Sequence, residues 1–360
     1  KGCSCGGNHA EADHARLTAA AAPTGEEGRW NRVVDAAVLR AVFPVDAQRR
    51  QRIGGGDTRA DSLQIDSVRL SNIGGQIVQS GSGPARVHAT AVFDNGSGSL
   101  VANGRLDLTA GELRNVAGKV LATADAGLVV TVDGAAENRG GSLVAGGDLS
   151  FAAATLGNVG GSLRAGQDGA VRLGGAVDNT DGTLAAGRRL DVDAASLDNR
   201  RGLVHSAAGG LGVHVVGALL NPLGEIFAGT DLDLRAGSLV SSGTLYSQRD
   251  LRIAVADTLS SSGSLAAAGN LSLSAYRFAG TAGSLLGAGL AGEGALTLDV
   301  RDSLVAQGRN QAAGALVFTG RSVDVATGET RAARIALTAS DGDVSTREAL
   351  VAAPGAVVIA

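Results

Sequence analysis

Three groups of residues in this 360-residue sequence could carry chemistry. The first lies near the start, where Cys3 and Cys5 sit beside His9, Glu11, Asp13 and His14. Thiolates, imidazoles and carboxylates are zinc ligands, but a structural site takes them as tight pairs on turns. Cys-x-Cys followed by His-x-x-x-x-His matches no such spacing. The segment reads as a terminal loop with two thiols or a small strained disulfide, and no metal is expected. The second group, Gly287-Ala288-Gly289-Leu290-Ala291-Gly292, fits the G-x-G-x-x-G phosphate-binding pattern. That pattern works only between a strand and a helix of an α/β unit, and none surrounds it, so no cofactor is expected. The third group is Asp148, Asp191, Asp231 and Asp250, which recur near one phase of a repeat. A column of carboxylates could do acid–base work on a polysaccharide. Arg105 and Asn270 hold the same phase, however, so these residues read as turn positions and no catalytic residue is assigned. Neither G-x-S-x-G nor H-E-x-x-H occurs.

The elements that would carry these residues follow from an internal repeat. The pattern is L-x-N-x-x-G-x-L-x-A-x-G-x-L-x-L/V, clearest from Asn138 to Phe151. Its Asn recurs at Asn72, Asn95, Asn115, Asn138, Asn158, Asn179, Asn199 and Asn221, and Ser takes the place at Ser241 and Ser261. The intervals run from 20 to 23 residues. Three residues after each Asn comes Gly75, Gly98, Gly118, Gly141, Gly161, Gly182, Gly202 or Gly224; after the Ser copies, Gly243 and Gly263 arrive one residue sooner. Within a copy, apolar and polar residues alternate, as in Leu143, Ala145, Leu149 and Phe151, which is the period of a strand with one face inward. Gly pairs and Gly-Asp, Gly-Arg or Gly-Asn steps separate the strands as turns. Glycine is expected there for a positive φ at the corner. Asparagine in register from coil to coil can stack as a ladder of side-chain amides.

Short strands and corners in about twenty residues make one coil of a parallel β-helix. Leucine-rich spacing, a helical 3.6 period and the calcium-binding nonapeptide are all absent. Coils from 61 to 360 would number roughly 14, giving a rod about 65–70 Å long at the strand spacing. Composition agrees: 55 Gly against 5 Pro, 44% hydrophobic residues and only 2% aromatic ones suit many thin aliphatic layers. The net charge of −4 and a pI near 5.8 give no basic footprint for nucleic acid. The pairs Arg49-Arg50, Arg188-Arg189 and Arg200-Arg201 are interleaved with Asp and read as solvated surface.

Two regions depart from the pattern. Residues 276–294 read as an enlarged, irregular coil, and beyond it strand alternation continues without the Asn–Gly phase. Residues 1–60 form a separate segment. Within it Trp30, Val33, Val34, Ala37, Val38, Ala41 and Val42 fall at helical spacing, so an amphipathic helix is expected over 25–43, packed on the flank or end of the array. The chain begins at Lys1 and has no Met, which reads as a fragment or processed product. No apolar signal stretch or membrane-spanning helix is expected.

The repeat resembles the haemagglutinin repeat of filamentous haemagglutinin-like proteins, closely over 65–275 and loosely over 276–360. The resemblance, which does not cover 1–60, implies a right-handed parallel β-helix; with the short N-terminal α-helix read from the spacing above, the chain is otherwise expected to be all-β. It implies export across a Gram-negative outer membrane through a two-partner-secretion transporter. It further implies a secreted or cell-surface adhesin stalk that meets a host or bacterial receptor or glycan, or a stalk for a contact-dependent inhibition toxin. A polysaccharide-active enzyme on the same fold is a more remote reading. The family's secretion domain is not matched: Asn221-Pro222-Leu223 is only superficially similar to its motifs. No toxin domain and no RGD tripeptide is seen.

Overall fold

Ser142–Ala145 shows how a coil forms. Leu143 and Ala145 point inward and are essentially unexposed, while Ser142 and Val144 point out. One turn later Leu149, Phe151 and Ala153 turn inward from a second strand, Leu149–Ala153. Leu156 follows from a third, Thr155–Gly157. These three strands define three faces, and a computed structural model describes their succession for residues 34–42, 51–52, 57–123 and 125–360.

The strands pair only with their counterparts one coil away, always parallel. Ser142–Ala145 stands in register between Lys119–Ala122 and Ser162–Ala165, with Leu143 opposite Val120 and Leu163. The solenoid has about 14 coils of about 21 residues. Every backbone ladder bond therefore doubles as a bond between coils, and each inward side chain meets its own kind above and below. The result is one continuous core of Leu, Val, Ala and a few Phe, among them Phe93, Phe151, Phe278 and Phe318. Burying one Leu or Phe in such a column stabilises by about 1.5–3 kcal/mol. Each coil contacts only its neighbours, so stability is a nearest-neighbour sum.

The expected helix does not extend over the residues that can be described. Val34–Val42 is a strand paired in parallel with Asp57–Ser71. In VDAAVLRAV only Asp35 and Arg40 are charged, so the run satisfies a helical stripe and a strand equally well. Pairing with the neighbouring coil decides for the strand. Residues 25–33 and 43 of that expectation lie outside the described residues, as do Cys3, Cys5, His9, Glu11, Asp13 and His14. Stacking thus begins before residue 61. No helix among the described residues is long and apolar enough to cross a membrane.

The expected irregular coil at 276–294 is less irregular than its sequence. Arg277–Gly280, Leu285–Ala288 and Leu296–Val300 occupy the three faces in register. The excess length lies in two turns, two residues before Leu285 and four at Gly289–Gly294, where Gly289 takes a φ of 73°.

Candidate functional site

The repeat asparagines meet in one buried column. Asn72 donates from Nδ2 to Asn95 Oδ1 at 2.7 Å, and the same bond recurs through Asn115, Asn138, Asn158, Asn179, Asn199 and Asn221 at 2.7–2.8 Å. All eight side chains are 0% exposed. From Asn95 onward each amide also donates to the carbonyl of its own phase glycine, as from Asn158 to Gly161 at 3.3 Å. A third acceptor lies in the next coil, such as Thr183 O at 3.3 Å. From Asn95 to Asn221 each amide is satisfied on both its donor and acceptor sides, which is the condition for burying it; Asn72 Oδ1, at the head of the column, has no partner among the described residues.

The turn beneath the ladder explains the glycines, and differently from the expectation. Asn138 O accepts from Gly141 N at 3.0 Å, closing a four-residue turn. The positive φ falls on the third residue of that turn, not on the phase glycine. It is glycine at Gly74, Gly140 and Gly160, but Ser97, Ala117, Asp181, Arg201 and Leu223 adopt it too, at 51–57°. The phase glycine is required by crowding instead. A Cβ on Gly161 would come within 3.0 Å of Asn138 O, Asn138 Nδ2 and Asn158 Oδ1. Gly98, Gly118, Gly141, Gly182, Gly202 and Gly224 face the same obstruction. For Gly75 the structure shows its N–H on Asn72 O at 3.1 Å. Asparagine and glycine recur together because the amide of one coil fills the space a side chain would take in the next.

The column continues where the sequence phase is lost. Asn221 donates to Ser241 Oγ at 3.2 Å, and Ser241, Ser261 and Gly280 follow in register. Ala306 and then Val325 stand fully buried at this level, and the turn at Val325 closes as before, Gly328 N donating to Val325 O at 3.1 Å with Thr327 at a φ of 60°. Thr346 and Ala349 repeat the closure with Glu348 at 57°. The backbone signature of the turn persists without Asn, and at Thr346 without Gly as well, so the paired residue pattern could not reveal it. A polar pair has moved one strand over. Asn310 donates to Ala306 O at 2.9 Å and to Thr330 Oγ1 at 3.1 Å, both side chains 0% exposed.

The aspartate phase is a set of caps between coils. Asp148 Oδ1 accepts from Asp168 N and Asp168 Oδ1 from Arg189 N, each at 3.0 Å. Asp231 accepts from Asp250 N at 3.2 Å, Asp250 from Asn270 N at 2.9 Å, and Asn270 from Ala295 N at 3.0 Å. Asp168 belongs to this column and was not singled out in the sequence. Asp191 does not belong to it: it lies opposite Ala170 and Gly212 on the outward side of the second face, gripped by Arg189 through two bonds of 2.7 Å. Arg189 holds the column position in that coil, and Asp191 lies two residues beyond it. Asp231 is held below the ordinary carboxylate range, first by its hydrogen bond to Arg249.

The pairs Arg188-Arg189 and Arg200-Arg201 are matched by carboxylates, and Arg49-Arg50 lies outside the described residues. Arg188 meets Asp168, Arg200 meets Asp198 and Arg201 meets Asp181 at 2.7–2.9 Å. A stronger junction lies at Asp302, which accepts from Arg277 at 2.8 Å and from Arg321 at 2.7 Å, tying three successive coils. Both guanidinium groups, Arg277 first, hold the Asp302 carboxyl below its usual range. On the outside of the first face His205, Phe227 and Tyr246 stack at centroid distances of 5.0 and 5.6 Å. Burial lowers the His205 pKa. Gly287–Gly292 is the end of a strand and the long turn after it, not the mouth of a helix.

A continuous parallel solenoid with an internal amide ladder is the architecture of a structural repeat protein. The haemagglutinin repeat matches residues 45–140, 128–181, 160–221, 227–290 and 280–358, and the chain belongs to this filamentous haemagglutinin-like family. It is also similar to Toxin CdiA of Yersinia pestis, with 45% identity over 65 residues, which are 18% of this chain and 2% of that protein. No solved structure matches the chain.

Proposed function

We propose that this chain is a length of rigid stalk in a secreted or surface-displayed protein of a Gram-negative bacterium. The observation that carries the reading is the unbroken column of coil-to-coil amide bonds from Asn72 to Asn221 inside a parallel stack. Such a column holds each coil in register with the next and resists shear. It serves reach more directly than it serves a reaction, and the reading is non-enzymatic. Export through an outer-membrane two-partner-secretion transporter, with folding outside the cell, accords with the family. The outward faces would then meet a receptor or glycan on a host or bacterial surface, in the manner of an adhesin.

A second reading is favoured by the match to Toxin CdiA: the same stalk would present a toxin for contact-dependent inhibition. The two readings share the mechanical role and differ in cargo.

The test is an in-register deletion. Removing Ser142 to Gly224 excises four whole coils and joins Gly141 to Glu225 at equivalent positions. As a spacer, the shortened chain displayed on cells still folds and is exported, and its reach contracts by about 19 Å at ~4.8 Å per coil. Export and folding lost, or reach unchanged, contradicts the reading. Assay on acidic polysaccharides checks the enzymatic alternative: product release that disappears in Asp148→Asn or Asp191→Asn would replace the stalk with a catalyst.

A further inference from the structure

We infer that the first face of the solenoid pairs with the same face of a second copy of this chain, the two rods running antiparallel. The face is set apart by what it lacks. Over the ten strands from Gln76–Gln79 to Ser264–Ala267 its outward positions carry only three charged side chains, Lys119, Arg164 and Glu225. In the same coils the second face turns out Asp107, Arg172, Asp191, Asp193, Asp233 and Arg235. Charge returns to the first face beyond both ends, at Arg59 on one side and at Arg309 and Arg331 on the other. Depletion of charge is what the centre of a protein interface shows.

The outward positions form two columns. One bears mostly hydroxyls, as at Ser99, Ser142 and Thr244. The other is apolar. Val78, Val101, Leu121 and Val144 stand in register, and past Arg164 and Ala185 it continues as His205, Phe227 and Tyr246, all half-buried. A continuous apolar strip on an outer surface marks a contact.

The charges choose the arrangement. A two-fold axis along the strands, midway between the Arg164 and Ala185 coils, lays each column on its own kind. Leu121 then meets the partner's Phe227, Val101 the partner's Tyr246 and Val144 the partner's His205. In that register Lys119 meets the partner's Glu225, twice by symmetry. Both residues are exposed, and neither enters an ion pair among the described residues. Arg164 faces the small Ala185 beside the axis, which leaves space for its guanidinium. A parallel pair would instead set Lys119 on the partner's Leu121 and cover its charge without a counter-ion. The paired stretch is about 48 Å long and about 13 Å wide. It covers ~600 Å² on each copy, at the low end for a stable interface. A spin label in place of the Ser99 or Ser264 hydroxyl stands in this contact and shifts the chain to monomer. Antiparallel is also how stalks from two facing cells would overlap, a consequence that rests on the stalk reading and that a dimer in solution does not need.

Sedimentation of the full chain, with Cys3 and Cys5 changed to Ser so that no disulfide links copies, tests this. The dimer fraction should grow between about 1 and 100 µM, the range of a modest interface. Lys119→Glu and Glu225→Lys each place two like-charge contacts in the pair and should raise the dissociation constant about tenfold or more. Mixing these two variants should restore the dimer, because every such contact then becomes a pair of opposite charges. Both positions are exposed, and circular dichroism confirms that each variant folds. A wild-type chain that stays monomeric up to about 100 µM overturns the inference. Single variants that dimerise as the wild type does, or a mixture that stays monomeric, overturn it as well.

Discussion

Asn199 and Asn221 lie one coil apart, and the amide of the first donates to the carbonyl oxygen of the second at 2.8 Å with neither side chain exposed. The pair ends a chain of identical bonds. From Asn72 to Asn221 every coil carries the same amide, and downstream the partner becomes a hydroxyl, then nothing. The rigidity proposed for the stalk depends on the upstream half of that relationship.

Replacing a mid-ladder residue should show its worth. Asn158→Ala removes the bonds to Asn138 and Asn179 and leaves the buried Asn179 Oδ1 unpaired, while Asn138 Nδ2 keeps its bonds to Gly141 O and Ser162 O. Such a group costs about 1–3 kcal/mol, and a loss of that size is expected in urea denaturation.

The two kinds of turn glycine should respond differently. Gly161→Ala drives a Cβ into Asn138 and the ladder and should cost about 1–3 kcal/mol or prevent folding. Gly160→Ala has open space and carries only the strain of its φ of 60°, about 1–2 kcal/mol. Leu223→Gly reverses the second effect, since Leu223 holds a φ of 57°, and should raise the denaturation midpoint.

Ser261→Ala should be neutral or slightly stabilising, by up to about 1 kcal/mol, because the buried hydroxyl it removes has no partner. Asn221→Ala, two coils earlier, should be clearly destabilising. Thermal melts of the two variants make the comparison.

Acid should act on Asp302 late. Its carboxyl is held below its ordinary value of about 3.9, so its contribution is fully present above that pH and is lost only as pH falls through the lower folded-state value. Wild-type stability should therefore decline between about pH 4 and pH 2 more steeply than that of Asp302→Asn, measured by urea midpoints across that range.

His205 works at milder pH and from a different cause. Burial favours its neutral form, so the unfolded chain binds the proton more readily. Stability should fall as pH drops below about 6.5, and His205→Phe, which keeps the stack on Phe227, should flatten that slope.

Much of this was legible in the residues. The Asn phase and the alternation at Leu143, Ala145, Leu149 and Phe151 are direct images of a coil, because each inward position repeats at nearly constant length. Three things were hidden for physical reasons. Val34–Val42 carries an apolar run compatible with either helix or strand, and only its pairing with Asp57–Ser71 chooses. The role of Gly161 lies in a contact with the previous coil, not in its own φ, so local conformational rules pointed to the wrong residue of the turn. The turns at Val325 and Thr346 keep the backbone geometry with side chains that share no chemistry with Asn. Asp191 falls two residues beyond Arg189, which holds the position opposite Asp168, because coil lengths vary and only the pairing fixes the column.

The central claim is a straight, rigid rod of stacked coils, and one distance tests it. Ser99 and Ser264 both face outward on the first face, eight coil steps apart. With Cys3 and Cys5 changed to Ser, spin labels placed through Ser99→Cys and Ser264→Cys should give a narrow pulsed-dipolar distance distribution. Its centre is expected near ~38 Å, from ~4.8 Å per step. A broad distribution, or one centred well below 30 Å where the chain folds back on itself, would contradict the stalk.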